Sequence, residues 1–154
     1  HPHIFALYFG LLDDEQQNAV IKNVLLNDKV EKIVTPFMRF FELSALCVAG
    51  ETQLVYDEIL SYWGCMVDEG ATSFWELYDK DCKGVEKYAM YGRKYGKSLC
   101  HAWGASPLYL LGRYLIGLRP VQPGYKEYEI CPRMYSPEEF SVTLPLNCGD
   151  IEIS

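Results

Sequence analysis

The sequence lacks the signatures of several large protein classes. No apolar run reaches the roughly 18 residues that a membrane-spanning helix needs. Glycine-rich nucleotide-binding motifs and the G-x-S-x-G motif of serine hydrolases are missing. Basic residues are scarce, because 14 Lys and Arg stand against 21 Asp and Glu, and the net charge of −7 repels a phosphate backbone. We therefore expect no membrane partner, no nucleic-acid partner and no cofactor.

Paired cysteines are also absent. The six cysteines lie 17, 18 or 31 residues apart, and no C-x-x-C pair supports a zinc or dithiol site. Three of them stand in apolar helical or strand patterns, where cysteine acts as a small hydrophobic residue. We expect free, buried thiols rather than a disulfide framework, which favours the cytoplasm over the periplasm. No metal site is expected, since His1 and His3 have no carboxylate or thiol nearby.

Helical patterns fill most of the first 117 residues. Apolar residues recur at helical spacing in four segments, residues 3–10, 13–28, 35–50 and 51–70. The last two are almost contiguous, which predicts an αα-hairpin, and Ser106 and Pro107 are predicted to cap and begin a helix that packs against it. The core residues expected in segment 51–70 are Leu54, Val55, Ile59, Trp63, Met66 and Val67.

Strand patterns follow the helices. β-Branched and aromatic residues dominate "YKEYEI" and "FSVTLPL", "NCGD" is typical of a turn, and "IEIS" begins a return strand. Two prolines and a glycine near Arg119–Gly124 mark a boundary. Helices followed by strands predict an α+β, mainly α fold, with one domain over residues 1–119 and the start of a second over 120–154.

One long connection carries the candidate chemistry. Residues 71–98 have no sustained period, and connections of this length in compact domains are usually functional. Within "GATSFWELYD", Glu76 directly follows Trp75. Inverting hydrolysis of a glycosidic bond needs a pair of carboxylates, and aromatic residues supply the apolar surroundings of a sugar ring. The alternative is a solvated or salt-bridged surface glutamate.

A second candidate stretch is "SLCHAWGASP", which precedes the last predicted helix. His101 either donates to a sugar hydroxyl or bonds a backbone carbonyl as a partly buried histidine. Trp103 either stacks on a sugar ring or fills the space between helices. Nearby, Arg93, Lys94 and Lys97 form a basic patch that is either a solvated face or a site for an acidic ligand.

Three stretches resemble bacterial α-L-rhamnosidases of glycoside hydrolase family 78. They are "TPFMRFFELSALCVAG", "GATSFWELYD" and "SLCHAWGASPLYLLGRYLIGLRPVQPGYKEYEICP", in the family's order, and they cover most of residues 1–132. The resemblance implies part of an (α/α)6 toroid of six helical hairpins, followed by a truncated antiparallel β-sandwich. It implies inverting hydrolysis of terminal α-L-rhamnose from glycosides. It also implies that Glu76 is the general base, that His101 contacts rhamnose and that Trp75 lies at the pocket wall beside the base. Trp103 is the further candidate for binding the substrate.

The resemblance also implies what this chain does not contain. The family's general acid lies in an acidic, arginine-containing motif, and nothing in residues 1–69 matches it. The chain has no initiator methionine and ends within a strand pattern. We therefore expect a C-terminal piece of an enzyme, inactive alone, that associates with the rest of its protein or with itself. The alternatives are a related six-hairpin hydrolase for another sugar and a non-catalytic module that binds a sugar or a partner.

Overall fold

The computed structural model describes residues 1–133, 137, 139–147 and 149–154. Helices dominate the first part of the chain, and three of them continue into a π-helical turn. They are α1 Pro2–Tyr8, α2 Asp14–Val20 (continued by Ile21–Leu25), α3 Pro36–Val48, α4 Thr52–Ile59 (continued by Leu60–Gly64), α5 Cys65–Asp68 and α6 Ser106–Leu110 (continued by Leu111–Leu115). Short 3-10 turns lie at Gly84–Tyr88, Ala102–Gly104 and Pro123–Tyr125.

The helix boundaries follow local sequence signals. Asp13 caps α2 through a capping box, in which its side chain accepts from the Gln16 N–H and the Gln16 side chain accepts in return. Pro36 occupies the first turn of α3, where its missing N–H is not needed. The predicted cap at Ser106 is wrong: Ala105 is the N-cap of α6, and Ser106 is already helical and buried.

The predicted helical hairpin and its packing are confirmed. Helix α3 packs against α1, α4 and α6, and the π-helical turn after α6 also contacts α4. Leu43, Val55, Leu110 and Leu115 are fully buried where these elements meet. The prediction that Val67 is buried is wrong, because it lies about 100° around the helix from the inward-facing Met66 and is 66% exposed. Leu54 is only half-buried.

Two small antiparallel sheets follow the helices, as predicted for a mainly α, α+β chain. Strand β1 (Leu118–Pro120) pairs with β2 (Tyr128–Ile130), and β3 (Val142–Leu146) pairs with β4 (Gly149–Ile153). Strands were expected only after the boundary near Arg119–Gly124, which is wrong for β1, because pairing with β2 stabilises this short extended segment. The predicted domain boundary falls inside β1, and the division into two domains stays a prediction.

The first sheet is tied to the helical part by backbone contacts after β2. The Cys131 N–H donates to the Gly117 carbonyl at 3.2 Å, and the Arg133 N–H donates to the Leu115 carbonyl at 2.8 Å. The Thr52 hydroxyl donates to the Arg133 carbonyl at 2.6 Å. These bonds fix the chain that leaves the sheet against the ends of α4 and α6.

The cysteine prediction holds in part. Cys47, Cys65, Cys82, Cys100 and Cys131 are free thiols. Of these five, only Cys47 is buried, and burial raises the pKa of its thiol to about 12, whereas Cys100 and Cys131 are exposed. Cys148, in the predicted "NCGD" turn, lies outside the described residues. Among those residues, no helix combines the length and apolarity that crossing a membrane requires.

Candidate active site

The two candidate stretches of the sequence meet at one place. The Glu76 N–H donates to the Ser98 carbonyl at 2.9 Å, and the His101 N–H donates to the Phe74 carbonyl at 2.8 Å. These backbone bonds hold residues 74–76 alongside residues 98–101. The predicted convergence of Glu76 and His101 is confirmed, since Nδ1 of His101 lies 3.9 Å from Oε2 of Glu76.

A close backbone approach at Gly104 completes this arrangement. A Cβ atom on Gly104 would lie 2.9 Å from the Trp75 carbonyl oxygen and 3.0 Å from Cβ of Phe74, which is closer than side chains normally pack. The indole N–H of Trp63 donates to the Gly104 carbonyl at 2.8 Å. The helical core therefore positions the turn at residues 102–104, and the missing side chain lets that turn lie against Phe74 and Trp75.

The Glu76 carboxylate is held by one hydrogen bond on each oxygen. Oε1 accepts from the Tyr91 hydroxyl at 2.5 Å, and Oε2 accepts from the Ser98 N–H at 3.0 Å. The Tyr91 hydroxyl contributes most to lowering the pKa of Glu76, and the Ser98 N–H contributes next, against the opposing effect of desolvation. Glu76 is therefore an ionised carboxylate at neutral pH, which is the state that a general base requires.

Solvent access to Glu76 is more restricted than the sequence predicted. We expected a carboxylate that solvent reaches at least in part, but only 4% of the residue is exposed. Tyr91, whose hydroxyl donates to this carboxylate, is itself 69% exposed. The Glu76 carboxylate thus lies just beneath the surface, hydrogen-bonded to an exposed side chain.

His101 and Trp103 lie together beside Glu76. Their ring centroids are 4.1 Å apart with a 37° interplanar angle, and the Trp103 indole N–H donates to the backbone carbonyl of Glu76 at 3.2 Å. Trp103 also contacts the Phe37 ring but stays 41% exposed. The two rings therefore present an accessible aromatic and hydrogen-bonding surface next to the carboxylate.

Trp75 is placed differently from the expectation of a substrate contact. It is only 4% exposed and packs against Tyr78 and Tyr88, with centroid distances of 6.2 and 6.0 Å. A buried ring has no free face for a sugar. Here the Trp75 ring anchors the backbone of the neighbouring Glu76 in the core.

The rest of the site environment limits what this chain can do chemically. The ionisable neighbours that act on Glu76 are Tyr91, His101 and Lys97, and no second carboxylate of the described residues is among them. No group of three His, Cys, Asp or Glu side chains suited to a metal ion occurs in the described part of the chain. The groups that act on the Glu76 carboxylate are therefore a phenol, an imidazole and an ammonium group, besides the Ser98 N–H.

The sequence model of the bacterial alpha-L-rhamnosidase 6 hairpin glycosidase domain matches residues 1–115. The chain belongs to this family. Two curated proteins named alpha-L-rhamnosidase, from Alteromonas sp. (strain LOR) and Formosa agariphila, are 28% and 29% identical over 99% of the chain. The chain spans only 17% of the length of each.

A solved structure of a family relative agrees with the sequence comparison. The chain superimposes on "rhamnosidase from Klebsiella oxytoca with rhamnose bound" with a TM-score of 0.62 and 29% identity. The match covers 73% of this chain and 21% of the other. It includes a large part of the helical region, and the predicted resemblance to α-L-rhamnosidases is confirmed.

Within this rhamnosidase-family domain, the contacts of Tyr91 and Ser98 with Glu76 and the burial of Lys97 were not expected from the sequence. Tyr91 is one of several aromatic residues in segment 71–98, and in "MYGR" only Gly92 hints at a two-residue hairpin turn, because the first central position of such turns favours Asn, Asp or Gly. Lys97 was assigned to an exposed basic patch, which is wrong: it is 8% exposed, and its ammonium group donates to the Lys87 carbonyl at 2.5 Å. Burial lowers the pKa of Lys97.

Proposed function

We propose that the protein containing this chain hydrolyses terminal α-L-rhamnose from glycosides, with Glu76 as the general base. Family membership supports the substrate class, because the relatives are named as rhamnosidases and one of them is described with rhamnose bound. The observation that carries the role of Glu76 is its carboxylate, held ionised by Tyr91 and Ser98 beside His101.

The proposed reaction inverts the configuration at the anomeric carbon. Glu76 takes a proton from water as the water oxygen bonds to that carbon. The glycosidic C–O bond breaks, and a general acid protonates the leaving oxygen. We assign that acid to a part of the protein outside this chain, because nothing in residues 1–69 matches the acidic, arginine-containing motif that the family resemblance implies for it. The chain alone is then inactive.

His101 and Trp103 are proposed to bind the sugar. The imidazole of His101 is only partly covered and lies close to the base, where it can donate to a rhamnose hydroxyl. The exposed Trp103 ring offers an apolar face on which a sugar ring can pack. Because the Trp103 indole hydrogen-bonds to the Glu76 backbone, the sugar-binding ring and the base would be held in a fixed relative position.

We also propose the larger architecture that this function requires. The helices would form part of an (α/α)6 toroid, and residues 120–154 would begin a β-sandwich. Large apolar side chains at the surface, including Phe9, Leu11, Val67 and Leu108, give the helical part faces that the rest of the protein, or a second copy, would cover.

A panel assay tests the substrate and the stereochemistry together. The longest natural protein that contains this chain is incubated with chromogenic α-L-rhamnoside and with other chromogenic glycosides. We expect selective release from the rhamnoside, with β-L-rhamnose as the first product detected by proton NMR. Selective cleavage of a different glycoside would instead support a related six-hairpin hydrolase. Sugar binding without turnover would support a non-catalytic module.

A further inference from the structure

Tyr91 lies at the tip of a tight turn in a strained conformation. The Met90 N–H donates to the Arg93 carbonyl at 3.0 Å, and the Arg93 N–H donates back to the Met90 carbonyl at 2.9 Å. The two residues between them have positive φ, 53° for Tyr91 and 70° for Gly92. Such turns favour Gly, Asn or Asp at both central positions, so a tyrosine there is unfavourable unless its side chain is needed.

Contacts of the residues that flank this turn hold it in place. A Cβ atom on Gly96 would lie 2.1 Å from the Met90 carbonyl oxygen, so only glycine permits this approach. The Lys97 N–H donates to the Tyr88 carbonyl at 3.1 Å, while its buried ammonium group donates to the Lys87 carbonyl. The turn is thus held in a position that directs Tyr91 towards Glu76.

The hydroxyl, rather than the ring, accounts for this placement. Tyr91 remains 69% exposed, so its strained backbone is not offset by burial of the ring. Its hydroxyl donates to Oε1 of the buried Glu76 carboxylate at 2.5 Å. A hydrogen bond to a charged acceptor is stronger than one between neutral groups, and here it is the contact that favours the conformation.

We propose that Tyr91 is a positioning residue for the general base, and that its hydroxyl orients the Glu76 carboxylate to take a proton from the attacking water. This inference rests on the proposed function, in which Glu76 is that base. Tyr91 on Oε1 and the Ser98 N–H on Oε2 set the plane of the carboxylate. A carboxylate has about four acceptor positions, so the two bonds leave positions that can accept from a water molecule.

The same contact controls the ionisation of the base. The groups around Glu76 are the Tyr91 hydroxyl, the Ser98 N–H, His101 and Lys97, and the Tyr91 hydroxyl contributes most to lowering the Glu76 pKa. In return, the carboxylate raises the pKa of Tyr91. Removing the hydroxyl should therefore raise the pKa of Glu76 and move its protonation towards neutral pH.

Tyr91→Phe in the longest natural protein tests the inference, with Tyr95→Phe as the matched control. Tyr95 is in the same loop and equally exposed at 69%. We expect Tyr91→Phe to lower kcat/KM for an aryl α-L-rhamnoside about tenfold and to move the acidic limb of its pH profile upwards by about one unit. Tyr95→Phe should match the wild type. An unchanged acidic limb in Tyr91→Phe overturns the inference, even if the rate falls.

A titration that does not depend on turnover separates this inference from the proposed function. Carboxyl carbon-13 NMR of glutamate-labelled protein, assigned with Glu76→Gln, reports the ionisation of Glu76 directly. We expect a higher midpoint in Tyr91→Phe than in the wild type and in Tyr95→Phe. Equal midpoints overturn the inference. A wild-type protein that cleaves no rhamnoside refutes the proposed function, while the midpoints still decide whether Tyr91 controls this carboxylate.

Discussion

The indole N–H of Trp103 donates to the backbone carbonyl of Glu76 across 3.2 Å. This bond joins the residue proposed to face the sugar to the backbone of the residue proposed to activate water. It also leaves the Glu76 side chain free to make its own contacts with Tyr91 and Ser98. The relative position of sugar surface and base is therefore set by the fold, and substitutions at each can be tested separately.

Glu76→Gln should remove most turnover in the longest natural protein. The amide keeps the size of the side chain but cannot accept a proton from water, and general base catalysis contributes about 10²–10⁴-fold. Rhamnose binding, measured by calorimetry, should change little. Glu86→Gln, an exposed glutamate in the same connection, is the control. Near-native turnover in Glu76→Gln would show that another group is the base.

Gly104→Ala should destabilise the protein by about 1–3 kcal/mol, because its Cβ atom would press on the Trp75 carbonyl and the Phe74 side chain. The matched control is Gly112→Ala, since a Cβ atom there meets nothing within 4 Å. Urea denaturation of both variants measures the difference. Equal free energies of unfolding would mean that the turn at residues 102–104 yields easily, contrary to the close approach that the structure shows.

His101→Ala should weaken rhamnose binding about tenfold, as expected when one hydrogen bond to a sugar hydroxyl is lost. His3→Ala is the control, because His3 is exposed at the start of α1. Calorimetric titration with rhamnose distinguishes them. If His101→Ala binds rhamnose as the wild type does, His101 has no role in holding the sugar.

The helices were predictable because their signals are local. The capping box of Asp13 and the first-turn proline Pro36 act within a few residues, and apolar periodicity marks the packed faces. The three-residue strand β1 was missed, since it exists through its pairing with β2 and carries no pattern of its own.

The site was predictable only as a pair of motifs. The convergence of Glu76 and His101 was expected from the family resemblance, but the direction of each side chain was not encoded locally. Trp75 and Glu76 are adjacent in sequence, yet the ring enters the core and the carboxylate meets Tyr91. In a segment without a sustained period, such directions depend on turn geometry and on contacts with distant residues, which the sequence does not display.

The isolated 154-residue chain should self-associate. Large apolar side chains such as Phe9, Leu11 and Leu108 are well exposed, and the strand pair β3–β4 has unpaired edges among the described residues. Light scattering coupled to size-exclusion chromatography should show species heavier than 17.7 kDa whose share grows with concentration. Phe9→Ser combined with Leu11→Ser should reduce that share. A monomer at all concentrations would contradict the proposal that the rest of the protein, or a second copy, buries these apolar faces.

Glu42→Gln should stabilise the protein at neutral pH by about 1 kcal/mol, a usual size for one substitution. Glu42 is buried in α3, and desolvation raises its pKa above the ordinary 4.5, although Arg39 opposes the shift. The fold thus favours the protonated acid, so the contribution of Glu42 to stability is complete below pH 4.5 and declines as pH rises through the folded-state pKa. Glutamine does not ionise, so the variant does not lose this stability as pH rises.

The gain should therefore be present at pH 7 and absent near pH 4 in urea denaturation. Glu31→Gln is the control, because Glu31 is exposed and its substitution should be nearly neutral at both pH values. Glu76 has the opposite pH dependence, because its lowered pKa makes its contribution to stability largest above pH 4.5. A gain for Glu42→Gln that is equal at both pH values would mean that side-chain packing, rather than ionisation, explains it.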